Sequence, residues 1–224
     1  MPSESIENYL KTIYELEEQN TAVTTSAIAE KLNVSPASVT GMLKRLSQKE
    51  PLLIQYESHQ QTSLTPLGLK TALRIIRQHR LLELFLHKVL GIPWDKLHSD
   101  AEKLEHYISD YLEDKIDHYL GHPQFDPHGA PIPEKDGTLP DTKYVRLSSL
   151  STGQHAIVKR VMKDDPDLLN YLTAIGLFIN VTVHIIEIIS FDNTLIIKTG
   201  TDPNISPIHL TQQVADQIFV QDSN

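Results

Sequence analysis

The sequence predicts an α+β chain with an N-terminal winged helix-turn-helix, two further helices, and a small C-terminal β-barrel of SH3-like size. Three observations predict it. Apolar residues recur at three- and four-residue spacing as far as about residue 120. A run rich in Pro and Gly, HPQFDPHGAPIPEKDGTLPD at 122–141, then interrupts the pattern. Beyond it the apolar residues gather into short β-branched runs.

The first helix is expected over residues 5–19, where Ile6, Tyr9, Leu10, Ile13 and Leu16 form the apolar stripe and Asn8, Lys11 and Glu15 face away from it. A second is expected from Thr25 to Leu32. Ser35 followed by Pro36 starts the third, because a hydroxyl caps the first turn and proline needs no amide donor there. It should run to about Gln48 and bury Val39, Met42, Leu43 and Leu46. Two extended pieces follow, Leu52–Glu57 and Thr62–Thr65, joined by the polar turn at 58–61. Helix, short turn, helix and ribbon is the pattern of a winged helix.

The outer face of the third helix carries Pro36, Ala37, Ser38, Thr40, Gly41 and Lys44, after the cap Ser35. Small residues let a helix backbone approach the floor of the major groove, hydroxyls bond phosphates or base edges, and a distal lysine neutralises phosphate. Charge supports this placement. The net charge of -9 is spread evenly, with 5 basic against 8 acidic residues over 1–68, 9 against 12 over 69–140 and 6 against 9 over 141–224. Against that background, 36–49 holds Lys44, Arg45 and Lys49 and no acid.

A long helix is expected from Pro66 to about Leu90, ended by Gly91 and Pro93, and another from Asp95 or His98 to about Leu120. The 122–141 stretch reads as irregular linker. Strands are expected at 144–147, 154–161, 181–189, 194–198 and 218–220, with one helix at 166–175 capped by Asp165 and closed by Gly176.

The chain has 224 residues, 40% hydrophobic and 22% charged, which is the ordinary globular range. Absence of cysteine excludes disulfides, thiolate zinc sites, iron–sulfur clusters and cysteine nucleophiles. No membrane span and no signal peptide are read from the sequence, so a cytoplasmic protein without a membrane partner is expected.

On a helix beginning at His98, the residues His98, Glu102, Glu105 and His106 fall at offsets 0, 4, 7 and 8 and would share one side. His79 and Glu83 on the preceding helix are also one turn apart, and the linker adds Asp126 and His128. Imidazoles and carboxylates without sulfur suit manganese, iron(II) or zinc, and the histidines disfavour calcium. A metal-dependent hydrolase is the rival reading, because such a site with an open position activates water. There is, however, no HExxH, nucleophile elbow or phosphate loop. A winged-helix regulator whose metals are only structural is a further alternative.

These residues resemble the diphtheria-toxin-repressor family of metal-dependent transcriptional regulators, and more closely its manganese-type members. The matching stretches are IENYLKTIYELEE at 6–18, VSPASVTGMLKRL at 34–46, LTPLG at 64–68, RQHRLLELFL at 77–86, LHSDAEKLEHYISD at 97–110 and PHGAPIP at 127–133. The resemblance implies a winged-helix DNA-binding domain at 1–70, a helical dimerisation and metal-binding domain at 71–122, a linker at 123–142, and an SH3-like domain of the ferrous-transport accessory type at 143–224. It implies a cytoplasmic homodimer that binds a palindromic operator in double-stranded DNA and represses metal-uptake genes. The corepressor would be Mn2+, or alternatively Fe2+, at two sites per subunit.

Carried over, the main site would be Asn8, Glu102, Glu105 and His106. A second would be His79, Glu83 and His98, completed by Asp126, His128 or Asp164. Manganese-type relatives usually have aspartate at the position of Asn8, and some have glutamate at that of Lys11, so the sequence leaves the number of ions at the main site open. Iron-sensing relatives are expected to place sulfur at the positions of Asn8 and Glu102, where this chain has oxygen.

Overall fold

The computed structural model describes residues 3–57, 61–162, 165–200 and 206–222. They form two compact units. The first takes the described residues among 1–79, 104–110 and 133–139, and the second those among 80–103, 111–132 and 140–224.

In the first unit, α1 (Glu4–Glu18), α2 (Thr25–Lys31) and α3 (Pro36–Leu46) pack around a core that includes Leu10, Ile13, Ile28, Val39, Leu43 and Ile54. Capping follows the sequence: Thr24 accepts from Ala27 N, and Ser35 accepts from Ser38 N with Pro36 in the first turn. α1 departs from expectation on one face. Its apolar stripe is buried, but so are Glu7 and Lys11, at 5% and 4% exposure. Lys11 therefore does not face water, because its ammonium has a buried acidic partner described below.

The wing is shorter than the sequence suggested. β1 (Ile54–Gln55) pairs antiparallel with β2 (Ser63–Leu64) in the register Ile54↔Leu64 and Gln55↔Ser63. The turn expected at 58–61 lies, except for Gln61, outside the described residues. Pairing stops at Thr65, whose hydroxyl donates to Leu52 O at 2.8 Å and accepts from Gly68 N at 3.1 Å, tying the start of the next helix to the wing. A Cβ on Gly68 would lie 1.9 Å from Leu53 O, so the LTPLG turn requires glycine at this close approach.

α4 runs from Pro66 to Leu90, as expected. The helix expected from His98 to Leu120 is instead two: α5 (His98–Leu104) and α6 (Asp110–Tyr119), with a turn at 105–107. Glu105 and His106 thus lie past the end of α5 rather than on a common helical face. Both are engaged by buried partners on α1, and a buried charge needs such partners more than two residues need helical hydrogen bonds. Ser109, favoured before a helix start, precedes α6.

In the second unit, the expected linker is irregular, but its middle is buried: Asp126 is 5% and His128 1% exposed. A bridge joins Phe125 to Pro131, and Asp126 Oδ1 accepts from His128 N and Ala130 N. Gly129, at φ +81, lies so close to the sheet that a Cβ would sit 1.8 Å from Lys159 O. Val161 N also donates to His128 O at 2.9 Å.

The described strands β3 (Val145–Arg146), β4 (His155–Val161), β5 (Thr182–Ile189), β6 (Thr194–Thr199), β7 (Ile208–Leu210) and β8 (Ile218–Asp222) form an antiparallel sheet of order β3-β8-β4-β5-β6-β7. Bulges interrupt β4 at 158–160 and β5 at 185–187. α7 (Pro166–Ala174) is capped by Asp165, which accepts from Asp167 N and Leu168 N. β7 and the four-residue α8 (Gln212–Ala215) were not anticipated, because each is too short to show a period.

Candidate metal centres

Glu7, Asn8 and Lys11 stand on adjacent turns of α1 in the first unit, and the 105–107 turn supplies Glu105 and His106. Lys11 Nζ donates to both oxygens of Glu105 at 2.8 Å and lies 3.1 Å from His79 Nδ1. His79 Nδ1 is also in contact with Glu105. Burial pushes the Glu105 carboxyl up, but the His79 hydrogen bond and the Lys11 charge outweigh it and hold the group below the usual glutamate range.

His106 Nδ1 bonds Glu7 Oε2 at 2.8 Å, and Arg74 donates to Glu7 Oε1 at 2.9 Å. Against a carboxylate Nδ1 is the donor, so in the neutral ring the lone pair would lie on Nε2. That Nε2 is buried and, among the described residues, has no hydrogen-bond partner, and the same is true of Asn8 Oδ1. His106 Nε2 also lies 3.5 Å from Glu105 Oε1. A buried imidazole lone pair oriented by a carboxylate, a buried amide oxygen and a buried carboxylate fit a divalent cation. Asn8, Glu105 and His106 are where the sequence reading put ligands. Glu7 and Arg74 were missed, since a Glu on an amphipathic helix carries no mark of burial.

The second unit holds another cluster. Ligand atoms of Glu83, Asp126 and His128 all lie within 4.8 Å of one another, and all three residues are buried. His128 Nδ1 is 3.9 Å from Glu83 Oε2, and His98 Nδ1 is 3.6 Å from Glu83 Oε1. Each of two of these side chains is anchored at one end. His128 Nε2 donates to Trp94 O at 2.9 Å, which leaves the Nδ1 lone pair; Asp126 Oδ1 takes two backbone amides, which leaves Oδ2. Among the described residues His128 Nδ1 and Asp126 Oδ2 have no hydrogen-bond partner. This donor set of two imidazoles and two carboxylates also fits a divalent ion.

Of the residues expected at a second site, Glu83, His98, Asp126 and His128 come together here, and buried His79 stands one turn before Glu83 on α4. Asp164 lies outside the described residues. Glu102, expected at the main site, has its side chain half exposed on α5, with Oε2 3.8 Å from His98 Nε2.

On α3, Ser35, Pro36, Ala37, Ser38 and Lys44 are exposed and Thr40 is half-buried, while Val39, Leu43 and Leu46 fill the core. Thr40 Oγ1 donates to Pro36 O at 3.0 Å. Residues 1–59 match the description "iron dependent repressor, N-terminal DNA binding domain", 65–134 match "iron dependent repressor, metal binding and dimerisation domain", and 145–222 match the FeoA domain. The iron-dependent repressor IdeR of Mycobacterium leprae is 31% identical over 223 residues, covering 94% of this chain and 96% of that protein.

The chain belongs to the iron-dependent repressor family.

As a family member it is a metal-dependent transcriptional regulator, and its sheet is the SH3-like FeoA domain. The chain is also similar to manganese regulators. The transcriptional regulator MntR of Listeria innocua is 35% identical over 147 residues, covering 64% of this chain and 99% of that one. A manganese-dependent transcriptional repressor solved in complex with manganese superposes with a TM-score of 0.89 at 32% identity, over 97% of this chain and 99% of the other.

Proposed function

We propose that this family member is a Mn2+-activated repressor that binds a palindromic operator as a cytoplasmic homodimer. Its DNA-binding, metal-binding and dimerisation, linker and FeoA parts fall at 1–70, 71–122, 123–142 and 143–224. The observation that carries the metal reading is His106 Nε2, a buried ring atom 3.5 Å from Glu105 Oε1 with no hydrogen-bond partner among the described residues, with Asn8 Oδ1 likewise buried and unpartnered on α1. Asn8, Glu105 and His106 serve the main site and Glu83, His98, Asp126 and His128 the second, with Glu102 assigned to the main site and His79 and Asp164 to the second from sequence alone.

Hard oxygen donors in place of sulfur shift preference toward manganese, although zinc and iron(II) still bind such sites more tightly in absolute terms, and Fe2+ is the alternative. Asn8, Glu105 and His106 would hold the ion, which when bound would supply positive charge between the 105–107 turn and α1. Glu7 holds the His106 ring with its lone pair on Nε2, Arg74 holds Glu7, and Asn8 offers its amide oxygen from α1. Two recognition helices of a dimer enter successive major grooves about 34 Å apart. If the ion stabilises the arrangement with that spacing, operator affinity rises with metal, and operator must tighten metal binding by the same factor. Ser35, Pro36, Ala37, Ser38, Thr40 and Lys44 form the DNA-facing surface. Exposed Val89, Leu90, Tyr111 and Leu112 offer the apolar surface that a dimer covers.

Operator binding by fluorescence anisotropy, with Mn2+ and with chelator, tests the reading. Tight binding to promoter DNA only with Mn2+ is expected, and equal binding in chelator would refute a corepressor role.

A further inference from the structure

The ammonium of Lys11 belongs to neither set of ligands, yet it sits on the carboxylate that the main centre needs. Lys11 is 4% exposed, and its Nζ is 2.8 Å from Glu105 Oε1, 2.8 Å from Oε2 and 3.1 Å from His79 Nδ1. Glu105 itself is 1% exposed, so the pair is closed off from solvent and ions in bulk water screen it little. A buried carboxylate without a cation carries a large desolvation cost. Here the chain brings its own cation, on the same helix as Asn8 and one turn beyond it.

We propose that Lys11 is a tethered competitor of the divalent ion, and that it sets the metal concentration at which the Asn8–Glu105–His106 centre fills. The inference rests on the proposed metal centre and adds to it the residue that determines its threshold. With both oxygens of Glu105 on one ammonium, a divalent ion can take this carboxylate only by drawing an oxygen away from Nζ or by sharing it against the repulsion of a unit positive charge. Either route subtracts from metal affinity. The lysine stem is flexible and its ammonium is a point charge with no fixed fork, so it can retract along α1 when an ion arrives. In the metal-free protein the same contact keeps Glu105 paired, so the fold does not need metal to neutralise this carboxylate. Metal is then required for the switch and not for folding.

A purely structural ion pair makes a different prediction. Breaking it would destabilise the protein without tightening the grip on metal. The experiment is Mn2+ titration by calorimetry on the full chain in a Glu83→Gln background, which removes a shared ligand of the other centre, with thermal melting of the metal-free and metal-loaded forms. Lys11→Met is expected to bind Mn2+ more tightly by about tenfold or more, the scale on which neighbours of ligands tune metal affinity. Its metal-free form should melt earlier than the parent, and the difference should shrink in saturating Mn2+.

Lys11→Arg keeps the charge and makes a fixed two-pronged contact with carboxylate. It should bind Mn2+ no more tightly than the parent, and this variant decides the question if Lys11→Met does not fold. Unchanged or weaker Mn2+ affinity in Lys11→Met, or tighter affinity in Lys11→Arg, overturns the proposal. His106→Ala in the same background identifies which idea has failed. If it binds as much Mn2+ as the parent, the metal centre itself is misassigned. If it loses an ion while Lys11→Met leaves affinity unchanged, only the role of Lys11 is wrong.

Discussion

Replacing Glu7 by glutamine changes the protons around His106 while preserving the shape of the side chain. In the native arrangement Glu7 accepts at both oxygens, from Arg74 at 2.9 Å and from His106 Nδ1 at 2.8 Å. Glutamine has a single acceptor oxygen and an amino group. The guanidinium of Arg74 can only donate, so the amide oxygen stays with it and the amino group turns toward His106. The imidazole must then accept at Nδ1 and carry its proton on Nε2, the atom that has no partner in the native cluster. The lone pair a metal needs is lost, together with a buried negative charge that made the imidazole a better donor. Changes to such partners cost about 10- to 100-fold in metal affinity, or roughly 1.4 to 2.8 kcal/mol. Calorimetric Mn2+ titration measures the loss directly, and operator anisotropy should show the activating Mn2+ concentration rising by the same factor. A Glu7→Gln protein that remains folded and binds Mn2+ within about twofold of the parent would refute the tautomer argument.

Glu105→Ala and His106→Ala should abolish Mn2+-stimulated operator binding and leave a dimer by light scattering; full stimulation in either would remove that residue from the ligand set. Asn8→Asp should lower the Mn2+ concentration required by adding a charged ligand, and Asn8→Ala should raise it, whereas no change in both would take position 8 out of the site. Lys44→Ala should weaken binding to all DNA sequences alike and reduce the salt slope by about one, as measured from operator affinity against log salt. Trp94 is the only tryptophan in the chain, and its ring stacks on His128 at 5.8 Å with a 14° tilt. Mn2+ should therefore change its fluorescence, and Glu83→Gln should suppress that change without altering the emission of the metal-free protein.

The winged helix was legible because its signals are local: the Ser35-Pro36 cap and the apolar stripe of α3 need no tertiary context. The same holds for α4, whose ends are marked by Pro66 and Gly91. The break between α5 and α6 was not legible. Periodicity continues through 98–120, and only the buried pairing of Glu105 with Lys11 and of His106 with Glu7 shows why the helix stops at Leu104. Lys11 shows the limit most plainly, since an exposed helical lysine and a buried one look alike in sequence. Burial of Asp126 and His128 was hidden for a related reason. A stretch rich in Pro and Gly reads as linker whether or not its middle is pinned, as this one is by Gly129 against β4. The candidate residue types are readable from side-chain chemistry, but their grouping in space is not. Glu102 shared a predicted face with Glu105 and His106, yet the chain turns after Leu104 and Glu102 remains partly in solvent beside His98.

The hydrogen bond from Thr40 to the Pro36 carbonyl bears on what α3 can read. Its proton is committed inside the helix, so the hydroxyl has only lone pairs to present outward. In the major groove, adenine and cytosine display amino protons, whereas guanine displays acceptors at N7 and O6. A Thr40 that keeps its internal bond can thus greet an amino group but not a guanine edge, and its methyl can rest against that of thymine. The helix would in this way carry part of its base preference in the direction of one hydroxyl proton, chosen by its own backbone before any DNA arrives.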